Sequence, residues 1–238
     1  MAIYLKGVMV ALKGLPRTLQ VSAFALVVGI VLGLFLALAK MSGSKVLKVL
    51  ASVYIEVIRS TPMIAQALIM AYGVPMILQS KGINFKWGNL LIPALIVCGL
   101  NSAAYMAEVI RSGIQAIDKG QIEAAHSLGM SKRQVNMLIV LPQAFKIVIP
   151  ALVNELVTLI KETSILAYVG VVEVIRSAQL WNATTFETFP AYVGAAVVYF
   201  IVCFPMSKGV QYLEKRLSAD KPVKKSETEK SEGKGGIR

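Results

Sequence analysis

A strongly apolar stretch running from Ile147 to Val172 is interrupted by polar and charged residues, among them Asn154, Glu155, Thr158, Lys161 and Glu162. On a helix, Glu155, Thr158 and Glu162 stand at offsets of three and four and share a face, with Asn154 and Lys161 on the adjoining stripe. A small zwitterion needs hydrogen-bond donors for its carboxylate and acceptors for its ammonium. Lys161 with Thr158 can supply the first and Glu155 the second. Asn101, Ser102 and Tyr105, from another apolar stretch, add polar contacts. The candidate solute-binding residues are therefore Asn101, Ser102, Tyr105, Asn154, Glu155, Thr158 and Lys161. Lys161 and Glu162 carry a second reading, as salt bridges between subunits or at a gate.

Other chemistries lack their parts. The sequence contains no Gly-x-x-x-x-Gly-Lys-Ser/Thr loop to cradle nucleotide phosphates. His126 is the sole histidine, so neither Ser-His-Asp catalysis nor a His/Cys metal cluster has support. Cys98 and Cys203 sit in apolar runs without ligand neighbours and do not read as a disulfide framework. Catalytic, cofactor-binding and metal-binding residues are expected to be absent, and the chain is not expected to be an enzyme by itself.

The elements that must position the polar residues are membrane spans. The chain has 238 residues, 56% of them hydrophobic. Thr18–Ala39, Ser60–Ser80, Trp87–Ala107 and Thr188–Ser207 are uncharged runs of about the ~20 residues needed to cross a bilayer. Ile147–Val172 makes a fifth span if its charges face away from lipid, since each would cost roughly 2.5–3.5 kcal/mol at mid-bilayer. Five spans place the termini on opposite sides. Lys40, Lys45, Lys48, Arg111, Lys119, Lys132, Arg133, Lys146 and the basic residues from Lys208 onward then fall on one side. Only Lys6, Lys13, Arg17, Lys81, Lys86 and Arg176 fall on the other. The excess marks the cytoplasm, so the fold expected is an all-α membrane protein with its N-terminus outside and its C-terminus cytoplasmic. The net charge of +12 follows from that topology and a tail near anionic lipid, rather than from nucleic-acid binding.

The chain divides into an outer surface segment (1–13), a transmembrane domain (14–217) and a basic cytoplasmic tail (218–238). The tail closes a Lys/Glu/Ser/Gly-rich stretch that begins at Lys215 and is expected to be disordered. Ala25, Gly29, Gly33 and Ala37 form a small-xxx-small stripe for close helix packing. The string Glu-Val-Ile-Arg-Ser occurs at Glu56, Glu108 and Glu173. The first two read as ion pairs at cytoplasmic helix ends, the first opening the second span with Pro62 one turn on. The third lies at the outer edge.

The segment 113–142 is the polar loop between the third and fourth spans. Asp118 with Gln121, and Ser131 with Gln134, fit capping boxes, and Gly129 fits a helix C-cap that requires positive φ. Two short cytoplasmic helices broken at Gly129 and Met130 are expected. Glu123-Ala124-Ala125, Gly129, Ile139 and Leu141-Pro142 resemble the EAA signature of ABC-importer permeases. Glu56 to Pro62 with Gln66, Ala104 to Arg111, and Asn154 with Leu159 to Ser164 resemble, in order, the second-, third- and fourth-helix motifs of the polar amino acid branch.

This resemblance covers most of the chain from about Gly14 to Leu217. It implies a type I ABC-importer permease fold in a bacterial plasma (inner) membrane, importing a polar amino acid by alternating access. The implied partners are ATP-binding cassette subunits that carry ATP and Mg, an extracytoplasmic solute-binding protein, and a second permease, identical or related. It also makes the 118–130 helix the ATPase contact, through Gln121, Glu123, Ala124, Ala125, Leu128 and Gly129. The same machinery for cystine or an opine, a stand-alone channel or proton relay built on Glu155, Lys161 and Glu162, and a nutrient-signalling scaffold are the alternatives.

Overall fold

A computed structural model of the chain describes residues 1–218. Among them the only regular structure is helical: α1 (Ala2–Leu12), α2 (Leu15–Met41), α3 (Lys45–Ser60), α4 (Met63–Leu68), α5 (Val74–Ser80) and α6 (Leu91–Gln115), then α7 (Lys119–Ser127), α8 (Lys132–Val135), α9 (Leu141–Glu162), α10 (Val174–Thr185) and α11 (Thr188–Ser218). Five helical stretches are long and apolar enough to cross a membrane: Ala2–Met41, Met63–Ser80, Leu91–Gln115, Lys132–Val169 and Thr188–Leu217. Each contains or overlaps one of the expected spans.

The centre of the fold is α2 against α6. The small-residue stripe does what its spacing implies: Ala25, Gly29, Gly33 and Ala37 are all buried, and a methyl group at Gly29 or Gly33 would run into Ser102 or Met106 of α6. Thr18, Val21 and Ser22 extend the buried stripe toward the start of α2. Around this pair, Ala67, Ala71, Ala94, Val97, Cys98, Leu159 and Leu166 form an apolar core between the second, third and fourth spans.

The second span starts afresh after Pro62. α3 ends at Ser60, Thr61 and Pro62 are extended, and α4 begins at Met63. The physical reason is proline: Pro62 has no N–H to continue α3 and forces Thr61 out of the helical region. Glu56 and Arg59 therefore lie on the amphipathic α3, ahead of the span rather than in its first turn. Both are exposed. Arg59 stacks 5.3 Å from the ring centroid of Tyr105.

Proline also explains two π-helical turns, Ile69–Gly73 and Asn136–Val140. Each is followed two residues on by a proline, Pro75 and Pro142. A proline inside a helix clashes with the carbonyl four residues back, and a one-residue bulge moves that carbonyl aside. In the first bulge Val74 donates five residues back to Ile69. The next such bond would need an N–H from Pro75, leaving the Met70 carbonyl open. Trp87, placed by the sequence at the start of the third span, sits instead in the loop before α6 and donates its Nε1 to that oxygen at 2.9 Å.

The N-terminal segment is a helix packed on the fifth span. Gly7 and Ala11 of α1 are buried, and Gly7 and Gly194 bring the backbones of α1 and α11 together. At the other end, α11 continues through Lys215 and Arg216 to Ser218, so the polar stretch from Lys215 begins as helix. The remainder of the expected disordered tail lies outside the described residues.

Candidate functional site

The polar loop folds much as its punctuation implies. Asp118 caps α7, its Oδ1 accepting from the Gly120 N–H at 2.7 Å. Gln121 does not complete a capping box there, because its Oε1 accepts from Nε2 of Gln143 on α9 at 2.7 Å. Ser131 and Gln134 do form the reciprocal box that starts α8. Gly129 leaves α7 with φ +81°, the left-handed conformation a Cβ would disfavour.

The two alanines of the Glu123-Ala124-Ala125 run face different ways. Ala125 is buried against Ile117, Val135 and Val140 with Ile122, Met130 and Ile147 around them, so it fastens α7 to this chain's own fourth span. Ala124, Gln121, Glu123, His126 and Gly129 are exposed, and Leu128 is 84% exposed. The expected docking set thus divides into one inward anchor, Ala125, and five residues facing out.

At the same end of α6, Glu108 accepts from Nζ of Lys40 at 2.7 Å and from Nη2 of Arg111 at 2.7 Å. One carboxylate so ties the end of α2 to α6.

The polar residues within the spans do not form one cluster. Asn101 is buried, and its Nδ2 donates to Oε1 of Gln66 at 3.2 Å. Gln66 in turn donates to the Ile58 carbonyl at 2.8 Å and to Thr61 Oγ1 at 2.8 Å. This side chain satisfies the carbonyl that Pro62 leaves open, and it lines a groove of about 360 Å³ with Thr61, Met70 and Leu100. Ser102 is fully buried against Gly29 and serves the α2–α6 contact. Tyr105 lies under Arg59.

On α9, Asn154 is exposed and Glu155, Thr158 and Glu162 are half-buried. The Thr158 hydroxyl donates back to the Asn154 carbonyl at 3.2 Å. Lys161 turns elsewhere: with Tyr199, Cys203 and Phe204 of α11 it lines a separate cavity of about 300 Å³. Among the described residues, His, Cys, Asp and Glu form no group placed to hold a metal ion.

Sequence reasoning missed three participants. Gln66 was visible only as part of a motif. Gln143 follows the quoted Leu141-Pro142 directly, and Trp87 looked like the lip of a span. Nothing in local spacing pairs them with residues 35, 22 and 17 positions away, respectively.

Comparison with known proteins decides the family. The family described as "binding-protein-dependent transport system inner membrane component" matches residues 29–219. The chain belongs to that family. It is a multi-pass membrane permease component of a bacterial ABC transporter, and in this family the permease subunit is not itself the catalyst. Two relatives are a putative glutamine transport system permease protein, GlnP, of Rickettsia conorii and the arginine transport system permease protein ArtQ of Bacillus subtilis. The first is 38% identical over 205 residues, covering 86% of this chain and 91% of the relative. The second is 36% identical over 209 residues, covering 88% and 93%. The solved structure of an amino acid ABC transporter with histidines superposes with a TM-score of 0.81 at 38% identity, over 89% of this chain and 96% of that one.

Proposed function

We propose that this permease forms the membrane path of an ATP-driven importer of polar amino acids, with its N-terminus outside and its C-terminus and α7 in the cytoplasm. The observation that carries the reading is α7 itself: a capped helix with Glu123, Ala124 and Leu128 exposed, fastened by Ala125 to the span that holds Glu155. A separate ATPase subunit docks on that outer face, and a second permease completes the path. An extracytoplasmic binding protein delivers solute. ATP-driven closure moves the two α7 helices together, and the spans exchange outward- and inward-open states through their differential affinity for partners. The excess of Lys and Arg on the side of α7 supports this orientation. Relatives named for glutamine and arginine transport support a polar amino acid as the solute.

Glu155 is the proposed acceptor for the solute's cationic group, with Asn154 and Thr158 beside it and Asn101 and Tyr105 on α6. Packing occupies Ser102, and Lys161 belongs to the α9–α11 side. The test is to purify the tagged chain from native membranes, then reconstitute it with its ATPase and binding protein. A P-loop ATPase should copurify, and the vesicles should take up a labelled polar amino acid. Glu155→Gln should cut uptake while the complex stays assembled. Unchanged uptake would remove Glu155 from the path, and a chain that purifies without an ATPase would overturn the importer reading.

A further inference from the structure

The turn leaving α7 is a poor lever. It passes through Gly129 at positive φ and Met130 before α8 begins, and glycine is the most conformationally free residue in a chain. A push on α7 sent only along the backbone would be absorbed there. Contacts that bypass the joint include two that matter here. One is the apolar seat under Ala125, which holds α7 down on α8 and the π-helical turn but is non-directional. The other is directional: Gln143 Nε2 donates to Gln121 Oε1 at 2.7 Å across 22 residues, from the first turn of α9 to the first turn of α7. The same Nε2 donates to the Ile139 carbonyl at 3.1 Å, which fixes the rotamer of an otherwise flexible side chain. Ile139 lies in the π-helical turn that precedes Pro142. Gln143 is thus bonded at once to the coupling helix and to the bulge at the foot of the solute-bearing span.

We propose that Gln143 is a positioning residue that carries displacement of α7 to α9, bypassing the Gly129 joint. This rests on α7 being the ATPase contact. Gln143 is partly buried and Gln121 exposed, so the bond adds little to folding, and its loss falls on coupling rather than on assembly. The Ala125 seat still holds α7 in place when the bond is gone.

The experiment uses the reconstituted complex with ATPase and binding protein, and compares Gln143→Leu and Gln143→Asn with the parent. Copurifying ATPase and basal ATP hydrolysis should be unchanged. Solute-stimulated hydrolysis and uptake should fall by roughly two- to tenfold, the range of one net hydrogen bond. Asn, one methylene short, should behave like Leu. In a Cys98→Ala, Cys203→Ala background, Gln121→Cys with Gln143→Cys should be uncoupled when reduced and recoupled when bridged by a short bifunctional thiol reagent. A purely structural role would lower complex yield and would not be rescued by the bridge. Parent-like stimulation in Gln143→Leu, or failure of the bridge to restore it, overturns the proposal. If no ATPase copurifies with the parent chain, the coupling reading fails instead, and the two failures are distinguishable.

Discussion

Replacing Gly194 by Ala tests whether α1 is a docked element of the permease. A Cβ at Gly194 would lie 2.4 Å from the carbonyl carbon of Gly7 and 2.6 Å from the amide nitrogen of Val8. Ordinary contact starts at 3.4 Å, so α1 would have to retreat by about 1 Å. The obstruction is backbone on both sides, and no side-chain rotation relieves it. Overpacking of this kind costs about 1–3 kcal/mol, and the rigid partner places it near the upper end. Ala gains up to about 1 kcal/mol over Gly in a helix interior, so the net loss is about 1–2 kcal/mol. Gly209, in the same helix, supplies the control: a Cβ there meets nothing within 4 Å. Gly209→Ala should keep the propensity gain and be neutral or stabilising. Thermal unfolding of the purified protein in detergent compares the two, and hydrogen exchange of the Val8–Leu12 amides locates the damage. Gly194→Ala should unfold earlier and expose those amides. A Gly194→Ala protein as stable as the Gly209→Ala control would refute the close approach of α1 and α11.

Two further predictions follow from the way side chains face. Ala124→Leu should leave the permease folded and weaken only ATPase recovery, because Ala124 is exposed. Ala125→Leu should loosen the loop itself, because Ala125 is 3% exposed in a packed cluster. Protease sensitivity of the loop without ATPase should rise for Ala125→Leu alone, and a rise for both would remove the inward–outward division. The second concerns Glu173, in the turn between the fourth and fifth spans. It is fully buried, its carboxylate accepts from the Ile175 and Arg176 N–H groups at 2.8 and 2.6 Å, and the Tyr199 hydroxyl donates to it at 2.9 Å. Burial raises its pKa above the ordinary 4.5, although those three bonds pull it back in part. A carboxyl with a raised folded pKa binds its proton more tightly in the fold. Its stabilising contribution is complete below the ordinary value and is lost as pH rises through the folded one. The parent should therefore lose stability relative to Glu173→Gln as pH increases upward from about 4.5, read as a widening difference in unfolding midpoint. A difference that stays flat across that window refutes net burial as the dominant influence.

The three Glu-Val-Ile-Arg-Ser strings show where sequence stops informing. At Glu108 the expected i, i+3 pair forms, with Lys40 of another helix on the same carboxylate. At Glu56 the glutamate is exposed, and Arg59 turns to the ring of Tyr105. At Glu173 the glutamate caps a helix start, and its arginine donates through the backbone N–H, while the guanidinium bonds to Gln179. Identical pentapeptides took three fates because the neighbours were supplied by other elements, which local spacing does not contain. What was legible had a local cause. The spans came from hydrophobic run length, the α2–α6 contact from small residues four apart, and the Gly129 turn and Ser131 box from capping chemistry.

The prolines join these two cases. Pro75 and Pro142 announce a break by local rules, but whether a break becomes a kink, a stop or a bulge depends on who satisfies the freed backbone. Pro62 stops a helix because Gln66 and Thr61 take up the loose groups. Pro75 is absorbed as a π-helical turn because Trp87 reaches the Met70 oxygen. Pro142 also follows a π-helical turn, and Gln143 beside it folds back on Ile139 and extends to the coupling helix. The residues that complete each break come from the polar positions that simple patterning leaves unexplained. In a membrane, where each open carbonyl costs several kcal/mol, such residues are held by necessity. A side chain that holds the turn beside such a break and also grips the coupling helix, as Gln143 does, is where motion can be passed on without opening the span.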